Sequence, residues 1–303
     1  MSATDSSPRS QRSAADADLR PRRSVLYMPA ANARALEKAR DIPADAIIFD
    51  LEDAVAPDAK PMARDQAVAA VTSGTYGGRE LTIRCNGLDT PWGAEDLAAA
   101  AGAGPAAVVI PKVSGAPHLD EVSRHLDRAG ASADTRIWAM VETPAALFNV
   151  RDIAGHSRVS MLVMGTNDLV KELRAQQVPG RAPLIPYLSM ALLAAREAGV
   201  AIVDGVYNDV RDPEGFEVEA RQGFELGFDG KTLIHPSQVE PTNRLWAPTE
   251  EAVDYARRVI AAFDEALAAG RGVVTVDGRM IENLHVDTAR RTLAVADAIA
   301  ALA

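Results

Sequence analysis

Eight short apolar runs, rich in β-branched residues, punctuate the chain at residues 24–28, 46–50, 81–84, 107–110, 137–142, 160–165, 200–204 and 232–235. They are continuous rather than alternating, as parallel strands covered on both faces require. Between them the apolar positions recur at helical spacing, over residues 32–39, 61–71, 94–101, 119–128, 188–198 and 213–226. Eight strand–helix repeats predict a closed (β/α)₈ TIM barrel over residues 23–247. An open doubly wound sheet is the alternative, but no G-x-G-x-x-G follows the first run.

After the eighth run the pattern changes. Thr249 can N-cap a helix in which Val253, Ala256, Ile260, Phe263 and Leu267 form one apolar stripe, ended near Gly270. Val273-Val274-Thr275-Val276 and Arg279-Met280-Ile281 then flank Asp277-Gly278, a strong hairpin signal. A last helix is expected over residues 287–302. Residues 248–303 thus form a helix–hairpin–helix appendage, expected to pack on a neighbouring subunit. At the other end, residues 1–22 are rich in Ser, Ala, Asp and Arg without an apolar h-region, and fit a disordered tail rather than a secretory signal.

Composition narrows the function. No apolar run reaches the ~20 residues of a membrane span, so the protein is expected to be cytoplasmic with no membrane partner. A formal net charge of −10 argues against nucleic acid as a partner, while leaving anionic small ligands open. The basic cluster Arg20 to Arg23 falls in the expected tail. Cys85 is the single cysteine and lies in an apolar strand, which excludes internal disulfides and cysteine-based zinc sites and predicts a buried thiol.

In a barrel the reactive groups sit at the C-terminal strand ends. Here those ends carry Tyr27, Asp50-Leu51-Glu52-Asp53, Arg84-Cys85-Asn86-Gly87, Pro111-Lys112, Glu142, Gly165-Thr166-Asn167-Asp168, Asp204-Gly205 and His235-Pro236. One polar strand end only marks the exit from a core; eight in register mark a site. The five histidines are scattered, which disfavours a transition-metal centre. Carboxylates suit a hard ion such as Mg²⁺, with Mn²⁺ a substitute, and Glu142 and Asp168 on adjacent strands are placed to hold it. The alternative is that Glu142 pairs internally with Arg84. Glu52 and Asp53 can bind waters around the metal or cap a turn; Lys112 can orient one of these acids. Asp204 can bond substrate or hold its loop. His235 is expected to bond backbone, and Trp92, Trp138 and Trp246 are too scattered for a ligand cage.

With these marks in order, the chain resembles the HpcH/HpaI aldolase and citrate lyase β-subunit superfamily. The motifs are Ser24-Val25-Leu26-Tyr27-Met28-Pro29, Phe49-Asp50-Leu51-Glu52-Asp53-Ala54-Val55, Arg84-Cys85-Asn86-Gly87, Ile110-Pro111-Lys112, Val141-Glu142-Thr143, Gly165-Thr166-Asn167-Asp168-Leu169, Gly227-Phe228-Asp229-Gly230-Lys231 and Ile234-His235-Pro236-Ser237-Gln238. It is most similar to the malyl-CoA/citramalyl-CoA lyase branch and, through Val276 to His285, to the (3S)-malyl-CoA thioesterase group. The resemblance implies a homotrimer or homohexamer, Mg²⁺ on Glu142 and Asp168, Arg84 on the acyl oxygen or carboxylate, and Tyr27 and Lys38 beside CoA. Glu282 would reach a neighbour's site as acid or base, where the lyase pattern usually has Asp.

Two reactions fit equally: carbon–carbon cleavage of a 3-hydroxy-dicarboxylyl-CoA such as malyl-CoA to acetyl-CoA and glyoxylate, or thioester hydrolysis to malate and CoA. The other readings are a citryl-thioester lyase subunit like the citrate lyase β-subunit and a non-catalytic acyl-CoA-binding subunit. The full set of strand-end acids argues against a dead binder.

Overall fold

A computed structural model of the protein describes residues 19–302. Eight parallel strands close into a barrel in sequence order: β1 (Ser24–Pro29), β2 (Ala46–Asp50), β3 (Glu80–Arg84), β4 (Ala107–Ile110), β5 (Arg136–Val141), β6 (Val159–Met164), β7 (Ala201–Asp204) and β8 (Gly230–Leu233). The expected (β/α)₈ barrel is the observed one. Its last strand begins two residues earlier than the apolar run suggests. A Cβ on Gly230 would meet the Arg22 carbonyl, so only glycine lets the chain close against β1 here. Short helices without a readable period, Pro144–Phe148 and Val150–Ala154, follow β5.

Alternation along each strand sorts the side chains into two cores. Val25, Ala46, Ile48, Ala107, Val109, Trp138, Met140, Met161, Val163 and Val203 fill the barrel interior. Their neighbours in sequence, such as Ile47, Val108, Leu162 and Ile202, pack outward under the helices. Carried one step further, this parity aims Asp50 and Glu142 into the barrel mouth, and Asp204 away from it. At the opposite end Arg22 and Arg23, expected at the edge of a tail, are anchored. Arg22 Nε lies 2.6 Å from Glu80 Oε2 and Arg23 Nη2 lies 2.8 Å from Asp45 Oδ1. Most of the expected tail, residues 1–18, lies outside the described residues.

The barrel unit spans Arg22–Trp246, and a second compact unit begins at Ala247. The latter holds the helix Glu250–Ala268, N-capped by Thr249, whose Oγ1 accepts from Ala252 N at 3.2 Å. Its buried face is Ala256, Val259, Phe263 and Ala266; Leu267, expected in the stripe, is exposed. The buried stripe runs through Val259 rather than Leu267, and Val259 shares one buried cluster with Val276, Ile281 and Val286. The hairpin β9 (Val274–Val276) and β10 (Arg279–Ile281) turns at Asp277 and Gly278, both at positive φ, as a tight I′-like turn requires. The final helix starts at Asn283, four residues before its expected start, with Glu282 as N-cap. Among the described residues no helix is long and apolar enough to cross a membrane.

Candidate active site

The C-terminal rim of the barrel surrounds a cavity of about 390 Å³ lined by Tyr27, Asp50, Asp53, Arg84, Glu142 and Asp168, among others. Arg84 and Asp50 end adjacent strands in register. The guanidinium forms a fork with that carboxylate, Nε to Oδ1 at 2.7 Å and Nη2 to Oδ2 at 2.6 Å. Nη1 lies 2.7 Å from Glu52 Oε2. The fork to Asp50 uses two of the five N–H donors, and the contact with Glu52 Oε2 is an ion pair without hydrogen-bond geometry, so Nη1 keeps its N–H groups for a ligand. The Arg84 guanidinium also lies over the Tyr27 ring, 5.0 Å from its centre. Burial pushes the Tyr27 phenol well up, so it stays a protonated donor. Arg84 thus pairs with Asp50 and Glu52; the internal Arg84–Glu142 pair considered from the sequence is not the one formed.

Glu142 follows β5 and is 1 % exposed. Gly165 makes room for it, since a Cβ there would lie 2.2 Å from Glu142 Oε2. Asp168 sits in the first turn of the helix Thr166–Leu173, where the helix dipole favours a carboxylate. Burial first, then the charges of Glu52 and Asp168, push the Glu142 carboxyl up to about 7 against the Lys112 N–H bond. Among the described residues this deeply buried acid, beside two others, forms no ion pair of its own. That deficit, and the space that Gly165 leaves beside Oε2, fit a divalent cation held between Glu142 and Asp168. Among the described residues no group of three or more His, Cys, Asp or Glu is arranged to hold a metal, so such an ion would complete its shell with water and substrate oxygens.

Lys112 connects the acids. Its backbone N–H donates to Glu142 Oε1 at 2.7 Å and its Nζ lies 2.8 Å from Glu52 Oε1. To do both it adopts φ 49°, a left-handed conformation uncommon outside glycine. Lys112→Gly, which accepts that conformation, is expected to melt near wild type in urea. Lys112→Val is expected to lose about 1–3 kcal/mol, because a β-branched residue is strained there. Equal midpoints would show that the conformation carries no cost. Glu52 is itself pushed up by burial, against the pull of Arg84 and Lys112.

Other residues hold the rim rather than line it. Lys60 Nζ bonds Leu51 O at 2.8 Å, Glu52 O at 3.0 Å and Asn86 Oδ1 at 2.7 Å, fixing the loops after β2 and β3. Asp204, fully buried, is bonded by Arg181 Nη1 at 2.8 Å and lies 3.1 Å from Lys231 Nζ. Burial alone would raise its pKa, but Lys231 and Arg181 hold it below the usual range. Its carboxylate lies against Gly223 in the outer helical layer, away from the cavity. Lys38 is exposed at the end of the helix Ala33–Lys38 and is not brought to the cavity wall. Glu282 belongs to the C-terminal unit, where its backbone N–H donates to His285 Nδ1 at 3.2 Å. His235 Nδ1 accepts from Ser237 N at 3.2 Å, a backbone cap. Cys85 is buried, which pushes its thiol well up. Trp138 fills the barrel interior, Trp246 donates to Phe228 O, and Trp92 stacks on Lys60.

A barrel whose C-terminal rim sets a clamped arginine beside two converging acids is the architecture of a (β/α)₈ enzyme. The chain belongs to the HpcH/HpaI aldolase/citrate lyase family, whose model matches residues 23–236. It is 51% identical over 281 residues to a (3S)-malyl-CoA thioesterase of Cereibacter sphaeroides, covering 93% of this chain and 96% of the relative. It is 36% identical over 284 residues to the citrate lyase subunit beta of Escherichia coli, covering 92% of this chain and 94% of the relative. Among solved structures, CitE of Mycobacterium tuberculosis in complex with magnesium, acetoacetate and coenzyme A superposes with a TM-score of 0.75. It is 30% identical and the match covers 92% of this chain and all of that one.

Proposed function

We propose that the protein is a Mg²⁺-dependent enzyme acting on a 3-hydroxy-dicarboxylyl-CoA such as malyl-CoA, with thioester hydrolysis to malate and CoA as its principal reaction. The convergence of Glu142 and Asp168 on the cavity that Arg84 lines carries this reading. The 51% identity to a malyl-CoA thioesterase, against 36% to a citrate lyase subunit, favours hydrolysis. When bound between Glu142 and Asp168, Mg²⁺ supplies Lewis acidity toward substrate oxygens. Arg84, held rigid by Asp50, offers its remaining N–H groups to the thioester oxygen as negative charge grows there. Tyr27 stays protonated and adds a donor at the same wall. Glu282 of a neighbouring copy in a trimer or hexamer supplies the acid–base group.

Carbon–carbon cleavage is the second reading, favoured by the family to which the chain belongs. It uses the same groups, with Arg84 stabilising a thioester enolate in place of a tetrahedral oxyanion. The assay supplies malyl-CoA with and without Mg²⁺ and follows all products. Free thiol with malate is expected; glyoxylate with acetyl-CoA would transfer the assignment to cleavage, and turnover undiminished in excess chelator would remove the metal.

A further inference from the structure

A second cavity, of about 400 Å³, lies in the barrel unit between the segments that follow β6 and β7. It shares Thr166, Asn167, Val206 and Asn208 with the candidate active site. The two asparagines form the partition. Asn167 Nδ2 donates to Asn208 Oδ1 at 3.0 Å, and Asn208 Nδ2 donates back to Asn167 Oδ1 at 2.8 Å. Gln177 Nε2 adds a third bond to Asn167 Oδ1, at 3.1 Å. Both asparagines are exposed, so water can replace these bonds when the pair parts.

Of the charged residues lining the second cavity, Arg181 is the single cation and is already taken. Arg181 is committed to Asp204, Glu219 lies 2.9 Å from Lys231 Nζ, and Asp212 accepts from the Tyr207 hydroxyl at 2.6 Å. Val170, Val178 and Leu184 supply apolar wall. A space whose cation is taken, whose remaining charges are acids and whose sides are partly apolar takes a neutral group more readily than an anion.

Position in the barrel says which part of a substrate would arrive there. Arg84 ends β3, whereas Asp168 follows β6, three strands round the ring. An acyl thioester bound with its carbonyl on Arg84 and its hydroxyl and carboxylate at the acid pair would have its hydroxyl-bearing carbon beside Asp168, whose neighbours Thr166 and Asn167 also line the second cavity. We propose that the second cavity is a subsite for a neutral alkyl branch on that carbon, and that the Asn167–Asn208 pair limits the length of the branch. This rests on the CoA-ester reading above.

The test uses malyl-CoA and its analogues carrying methyl, propyl or butyl on the hydroxyl-bearing carbon, and reads kcat/KM of each relative to malyl-CoA within one enzyme. Asn208→Ala is expected to raise the propyl-to-unbranched ratio by about tenfold, the lower end of what a methylene in a pocket is worth. Val178→Trp changes a residue that lines only the second cavity and is 37% exposed, and is expected to lower the ratio by a similar factor. Adding it to Asn208→Ala should cancel the gain. Ratios unmoved in both variants, with malyl-CoA still turned over, overturn the subsite alone. A wild-type enzyme that turns over none of the esters overturns the CoA-ester reading and the subsite with it.

Discussion

Glu142→Gln and Asp168→Asn are each expected to lower Mg²⁺-dependent turnover by about 10²–10⁴-fold, the rate equivalent of several kcal/mol of transition-state stabilisation. Each keeps shape and removes one charge from the pair, so the loss is read as charge rather than as packing. Calorimetric titration with Mg²⁺ alone gives a second readout, and both variants are expected to bind the ion weakly or not at all. Wild-type activity or wild-type affinity in either would remove the metal assignment.

The same substitution has an opposite effect on the metal-free fold. The Glu142 carboxyl is raised from 4.5 to about 7, mainly by burial. Between those values the folded protein holds a proton that the unfolded chain has released. Stability therefore falls as pH rises through this window and stays lower above it. At about 1.4 kcal/mol per pH unit, the interval corresponds to roughly 3 kcal/mol. Glu142→Gln removes that cost, so without metal at pH 8 the variant is expected to melt above wild type, and at pH 4 close to it. Saturating Mg²⁺ at pH 8 should raise the wild-type melting point and leave the variant unchanged. A variant less stable than wild type at pH 8 would mean that the buried acid is compensated by protein groups alone.

The barrel and its rim were legible because continuous apolar runs and their polar ends are consequences of burial on both faces. Glu142 and Asp168 fall where that rule puts them. The partner of Arg84 was less legible, since Asp50, Glu52 and Asp53 stand in one short stretch. Strand alternation decides among them, as Asp50 shares the parity of the interior residues Ala46 and Ile48. Alternation also explains Asp204, because Ala201 and Val203 belong to the interior side and position 204 turns outward. Its partners, Lys231 across the β7–β8 register and Arg181 from a loop, come together only when the ring closes. Lys112 was visible as a charged strand end. Its left-handed backbone, which aims an N–H at Glu142, leaves no mark in a sequence that puts no glycine there.

Arg84 joins stability and chemistry most directly, and its substitutions separate the two. Arg84→Met leaves Asp50 buried without its guanidinium and Glu52 with Lys112 alone, a loss of about 3–5 kcal/mol for a broken buried pair. That cost is expected as a lowered urea midpoint. Arg84→Lys restores the charge but places one ammonium where a planar fork had met both oxygens of Asp50 and one of Glu52. It should recover most of the lost stability and little of the activity, with kcat about 10²–10³-fold below wild type, the effect of losing one preorganised oxyanion donor. KM should move less than kcat, because the donor matters most where charge develops during the reaction. If Arg84→Lys regains activity in step with stability, the guanidinium serves only to neutralise Asp50 and Glu52, and the thioester oxygen must be met by another group.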